Sequence, residues 1–172
     1  MVAGDLVAAD ATGDLRARAF AAAAEVCDPE VPVLTIADLG VLRSVEVMAD
    51  GAVEVAITPT YSGCPAMDVI GVEVQVALAR AGIARARVRH VLAPAWTTDW
   101  MSEAGRAKLK AYGIAPPERG AGRRGLFAED RAACPLCGSA DTEKLSEFGS
   151  TACKSLWRCK ACREPFDAFK CL

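Results

Sequence analysis

After Cys64-Pro65 the run AMDVIGVEVQVALARAG sets Met67, Ile70, Val74 and Leu78 at helical spacing, with Gly82 placed to end the helix. Two β-branched stretches precede it, Val41 to Met48 and Ala52 to Thr58. They alternate in part and are separated by Asp50-Gly51, a pair preferred in tight hairpin turns. From Asp14 to Cys27 the chain is rich in strong helix formers, and Asp28-Pro29 with Val31-Pro32 stops that run. A first helix is predicted there, with Cys27 as a core residue. Ala86 to Leu92 reads as a third strand. The order α-β-β-α-β predicts an α/β (α+β) unit, a small mixed sheet of about three strands with helices on one face around a single core.

Beyond it, Trp96-Thr-Thr-Asp-Trp100 leads into SEAGRAKLKAYG, a short helix ended by Gly113. Pro116-Pro117 and ERGAGRRG then form a Pro-, Gly- and Arg-rich linker. The expected units are 1–115, a linker over 116–130, and 131–172.

Cysteine usage sharpens that division. Six of the eight cysteines follow position 130, and only Cys27 and Cys64 precede it. Cys134-Pro-Leu-Cys137 and Cys159-Lys-Ala-Cys162 are two C-x-x-C knuckles with 21 residues between them, room for a hairpin that brings them together. Four thiolates suit structural zinc and leave no open position, but they also accept a single iron or a [2Fe-2S] cluster. A region this small depends on its metal, which supplies roughly 10 kcal/mol or more of folding free energy. Cys153 and Cys171 are spare thiols nearby, candidates for a replacement ligand, for metal transfer or for plain apolar packing.

Cys64 lies between a strand end and a helix start, with Pro65 suited to the first helical position. There the backbone N–H groups and helix dipole should lower its pKa and favour the thiolate. The plainer reading is a buried cysteine packed as a small hydrophobe. His90, the single histidine, sits on the third strand and is not expected to pair with Cys64.

With 20 basic and 22 acidic residues the formal charge is -2 and the pI near 5.5, which argues against general affinity for nucleic acid. Arg119, Arg123, Arg124 and Arg131 are explained as a solvated linker. The start lacks a signal-peptide pattern and no apolar run approaches membrane-spanning length, so a cytoplasmic protein with no membrane partner is expected.

Two stretches, Asp28-Pro-Glu30-Val-Pro-Val-Leu34-Thr-Ile-Ala-Asp38-Leu-Gly40 and Thr58-Pro-Thr60-Tyr-Ser-Gly-Cys64-Pro65, resemble the signatures of the MIP18 (DUF59) family. With WTTDWMSEAGRAKLKAYGIAPP and the cysteine-rich tail, the chain resembles the branch of that family that serves bacterial phenylacetyl-CoA epoxidase systems as their D (or J) subunits. The resemblance implies a fold like that of iron-sulfur assembly proteins and an accessory, non-enzymatic role in phenylacetate catabolism. In that role the chain would assist insertion of iron or an iron-sulfur cluster into an epoxidase component, oxygenase or reductase. It matches Cys64 to the family's reactive cysteine and Asp38 to an acidic residue near it. Glu30, Thr58 and Thr60 fall in the same motifs. Relatives outside the branch mostly lack the ribbon, which implies a pathway-specific docking role. The competing reading is a non-catalytic scaffold that stabilises the oxygenase assembly. A thiol-dependent enzyme ranks last, for want of a base near Cys64. Homo-oligomerisation is left open.

Overall fold

The computed structural model describes residues 3–120 and 131–170. Helix α1 spans Ala3–Ala24, strands β1 Leu42–Val47 and β2 Val53–Ile57 follow, then α2 Ala66–Arg80 and β3 Ala86–His90. The predicted element order holds. The hairpin turns where expected, with Gly51 at φ 76° and the Asp50 carboxylate accepting from the Ala52 N–H at 3.0 Å. Strand β2 is central, antiparallel to β1 from Leu42↔Ile57 to Val47↔Val53 and parallel to β3 from Val53↔Ala86 to Ile57↔His90. The β2–α2–β3 crossover makes the sheet mixed.

One face of the sheet is apolar and packs on the helices. Val53, Val55 and Ile57 meet Ile70, Val74 and Leu78 of α2, with Leu34, Ile36 and Leu39 from the loop after α1. The other face is charged: Glu54 accepts from both Arg87 and Arg89 at 2.8 Å, which explains the A-R-V-R-H alternation of β3. Helix α2 closes at Gly82, φ 79°, with Ile83 N–H bonded to the Leu78 carbonyl at 2.9 Å.

Two expectations about the first helix are corrected. It begins at Ala3, well before Asp14, because a single interior glycine, Gly13, costs a helix only about 1 kcal/mol in an alanine-rich context. Cys27 is exposed, not core. The helix ends at Ala24, and Cys27 lies on an extended bridge to Thr35. The residue next to it, Asp28, is the buried one, its carboxylate accepting from the N–H groups of Glu30 and Val31 at 2.7 and 2.9 Å.

A 3₁₀ turn, Thr98–Trp100, leads to α3, Glu103–Ala111, capped by Ser102, whose hydroxyl accepts from the Gly105 N–H at 2.9 Å. Arg106 on α3 is buried and donates to the carbonyls of Thr98 (2.6 Å) and Pro117, holding the outgoing chain. Arg119 pairs with Glu103, while Arg123 and Arg124 lie outside the described residues.

The C-terminal sheet has the order β4-β7-β6-β5: β4 Ile114–Ala115, β5 Thr142–Ser146, β6 Lys154–Cys159, β7 Pro165–Phe169. β5, β6 and β7 form an antiparallel meander, whose β5–β6 hairpin lies between the knuckles as their spacing anticipated. β4, directly after α3, joins β7 in parallel through Ile114↔Asp167 and Ala115↔Ala168. The ribbon is also stitched to the first unit by side chains. Phe169 and Cys153 belong to the main core, and the Phe169 ring lies 6.2 Å from that of Trp96.

Candidate functional site: a four-thiol cluster and a thiol–carboxylate junction

Cys134, Cys137, Cys159 and Cys162 converge so that their sulfurs all lie within 4.8 Å of one another. Both knuckles are built alike. Each ends on a left-handed residue just after its second cysteine, Gly138 at φ 77° and Arg163 at φ 69°, which turns the chain so that both thiols point inward. Gly138 N–H bonds the Cys134 carbonyl at 2.9 Å, and Cys162 N–H reaches the Cys159 sulfur at 3.5 Å. That N–H group leads in drawing the Cys159 thiol down from its ordinary value, which favours the thiolate form that binds metal. Ala132, Trp157 and Phe166 close an apolar wall behind the cluster. The donor set fits a tetrahedral metal ion, and the cluster is a metal-binding site of the zinc-ribbon kind.

The second constellation sits where the two units meet. Cys64 lies one residue before the cap of α2, half-buried, and Pro65 is the cap itself. Its neighbours are Tyr61, whose hydroxyl shares a hydrogen bond with it, and the carboxylates of Glu30 and Asp28. The expected low pKa is overturned. Burial pushes the thiol up, and the two carboxylates add to this; the Ala66 N–H and Tyr61 pull the other way and lose. Burial and the same hydrogen bond push the Tyr61 phenol up to about 12.

Glu30, on the loop after α1, also receives the ribbon. Cys153, at the foot of β6 and 5% exposed, donates to Glu30 Oε2 at 3.5 Å and lies 3.0 Å from Thr151 Oγ1. Burial, reinforced by the Glu30 charge, pushes the Cys153 thiol up to about 11. Lys154 Nζ reaches the Glu30 carbonyl at 3.4 Å. Cys153 thus belongs to this junction and the main core, while the apolar cluster around the ribbon's knuckles is a separate one. Cys171 lies outside the described residues.

The other motif residues have different work. Asp38, 8% exposed, accepts from Thr35 N–H at 3.1 Å, Ser102 Oγ at 3.1 Å and Lys108 Nζ at 2.6 Å, tying its loop to α3. Burial alone would raise its carboxyl; these donors outweigh it and hold it below the usual carboxylate range. Thr58 is fully buried, with its N–H bonded to the Val41 carbonyl at 2.9 Å, and Thr60 is half-buried on the loop leading to Cys64. His90 is exposed at the end of β3. Tyr61 and Asp28 lie within the two signature stretches, but residue type alone gave them no role; their place beside Cys64 depends on two loops meeting in space.

Residues 16–92 match the model of the iron-sulfur cluster assembly protein family, and residues 119–170 match that of the PaaD zinc beta ribbon domain. Over 153 residues the chain is 48% identical to the putative D component of the 1,2-phenylacetyl-CoA epoxidase of Escherichia coli, covering 89% of this chain and 91% of that one. The chain belongs to the family of phenylacetyl-CoA epoxidase D components. Its first unit is also 38% identical, over 85 residues, to an Fe-S protein maturation auxiliary factor of Porphyromonas gingivalis, covering 49% of this chain and 80% of that one. The fold is shared with a crystal structure of a DUF59 domain from Bacillus anthracis, at a TM-score of 0.54 and 24% identity, covering 59% of this chain and 96% of the other. Within the family, then, the four-thiol cluster belongs to the ribbon and Cys64 to the assembly-type domain. Among the described residues, no helix is long and apolar enough to cross a membrane.

Proposed function

We propose that the protein is a cytoplasmic, non-enzymatic accessory factor of a phenylacetyl-CoA epoxidase system. In this reading it assists the maturation of an epoxidase component by handing over iron or an iron-sulfur cluster. Cys64 is the transient ligand for that cargo. The unit over 131–172 is a structural zinc ribbon, with Cys134, Cys137, Cys159 and Cys162 as its ligands, and it docks on the client. The carrying observation is the setting of Cys64: a half-buried thiol at the mouth of α2, flanked by carboxylates and a tyrosine. Kept protonated, such a thiol is a poor nucleophile toward electrophiles, yet it yields its proton to a soft metal.

The test is made in cells that depend on the epoxidase. Cys64→Ala should lower the metal content and activity of the client severalfold while leaving the factor's own zinc at one per chain. Unchanged client metal, together with co-purification at fixed stoichiometry whatever stands at position 64, would identify a scaffold and end the delivery reading.

A further inference from the structure

Helix α2 carries an outward face that packing does not explain. Val69, Val72, Glu73, Val76 and Arg80 fall on one side of it, at spacings of three and four residues. Val69 is 48% exposed and Val72 59%. Valine is a poorer helix former than the alanine, glutamine and glutamate used elsewhere in this helix, so its use at two open positions costs helix stability without filling a core. Beside this face, between α2, the end of α1 and the loop 27–32, lies a cleft of about 550 Å³, within the usual range of binding clefts. Val69 and Ala77 of α2 and Val26, just past α1, give it apolar walls, and Pro29 and Pro32 stiffen its loop side. The charge of the lining is one-sided. Glu25, Asp28 and Glu73 stand against a single cation, Arg80, and among the described residues none of the four has an ion pair. Asp28 is 9% exposed, and both N–H groups it receives go to Oδ1, which leaves Oδ2 without a donor among the described residues.

Resting on the delivery reading above, we infer that this cleft and the valine face beside it dock a basic, amphipathic segment of the client component. Lysine and arginine suit such a cleft, because their apolar stems can lie along its walls while their charged heads meet carboxylates at the rim. Three carboxylates against one guanidinium favour that charge and disfavour an acidic segment. The exposed valines extend the apolar surface beyond the cleft, farther than a single amine would cover. A chain segment with apolar residues at helical spacing and basic residues among them covers both. The client then meets the chain at two places, this cleft on the assembly-type domain and the ribbon. Two modest contacts joined through one chain bind more tightly than either alone. An attraction of this kind weakens as salt rises.

The experiment titrates the zinc-loaded full chain into each purified epoxidase component by calorimetry, at low and at high salt. One component should bind, and more weakly at high salt. Glu25→Lys with Glu73→Lys should weaken that binding at least tenfold, and Arg80→Gln should tighten it severalfold. Val69→Gln with Val72→Gln should weaken it about tenfold while the melting temperature holds or rises, since glutamine favours helix. A clear fall in melting temperature would make the valines packing residues and overturn the surface. A benzophenone maleimide placed on Cys27, which is exposed in the cleft lining, should on irradiation cross-link a lysine- or arginine-bearing segment of the bound component. Absence of binding, binding indifferent to the charge reversal, or a cross-link to an acidic segment overturns the site. So does self-association of the chain with the same charge dependence, which would assign the face to a second copy. The delivery reading is judged separately in cells. If Cys64→Ala abolishes client metallation while the charge-reversed protein supports it in full and binds the client as before, delivery stands and the docking cleft falls. If charge reversal weakens binding as described but Cys64→Ala leaves client metal unchanged, the cleft stands and delivery falls.

Discussion

At Cys64 two sets of forces oppose each other. The Ala66 N–H, the start of α2 and the Tyr61 hydroxyl favour the thiolate; burial and the carboxylates of Glu30 and Asp28 favour the thiol and prevail. Native protein should therefore alkylate at Cys64 more slowly at pH 7 than an unstructured thiol, with the rate still rising above the ordinary thiol range of about 8.5. Glu30→Gln removes a negative neighbour and should speed the reaction severalfold at pH 7. Tyr61→Phe removes a donor to the thiolate and should slow it. Site-resolved mass spectrometry of iodoacetamide adducts separates Cys64 from the exposed Cys27. A Cys64 that outpaces glutathione at pH 7 would contradict the assignment. The sequence marked this cysteine through its place in G-C-P between strand and helix. The sign of its pKa shift was not legible, because the opposing carboxylates come from a loop much earlier in the chain and neither periodicity nor spacing says that the loops meet. Cys27 was misread for a related reason: the helix ends at Ala24, three residues before the composition suggested.

Among elements, α3 depends on a few close contacts. Gly40, at φ 70°, lies where a Cβ would stand 2.7 Å from the Trp100 carbonyl oxygen and Cβ, and Gly105 of α3 packs against Asp38. Asp38 joins the two sides by taking hydrogen bonds from Ser102 and Lys108. Asp38→Ala leaves these donors without their acceptor and should cost about 1–3 kcal/mol, read from denaturant unfolding. The pH dependence follows from its lowered carboxyl: the stabilisation is present above the ordinary carboxylate pKa and is lost as pH falls through the lower folded value. Wild type should therefore lose stability in acid more steeply than Asp38→Ala, and parallel acid profiles would count against this role. The hairpin and α2 were legible because a period and a turn pair announce them. β4 was not. A strand of two residues carries no period, and Ile114-Ala115 is extended only because β7 offers its edge.

For the molecule as a whole, the division into a folded domain and a metal-stapled ribbon was readable from where the cysteines fall, but their mutual dependence was not. Phe169 tilts its ring against Trp96, Cys153 enters the main core, and β4 runs straight from α3 into the ribbon's sheet. The metal's binding free energy, of order 10 kcal/mol, thus maintains more than the four-thiol loops. It holds the Cys153 side of the junction in place. Removing the metal with a strong chelator should release the meander first, since its own buried apolar set is small. Alkylation of Cys153, suppressed by burial and a pKa of about 11, should then accelerate by about two orders of magnitude or more as local opening takes over. The near-ultraviolet signal of Trp157 and Trp96 should change at the same time. The far-ultraviolet helical signal should persist, because α1 and α2 pack on β1–β3 through a core that, among the described residues, draws only Cys153 and Phe169 from the ribbon. Readdition of zinc should restore Cys153 protection and the tryptophan signal together. If Cys153 stays protected after the metal is gone, the ribbon is held by the domain alone, and the metal's role is confined to the knuckles.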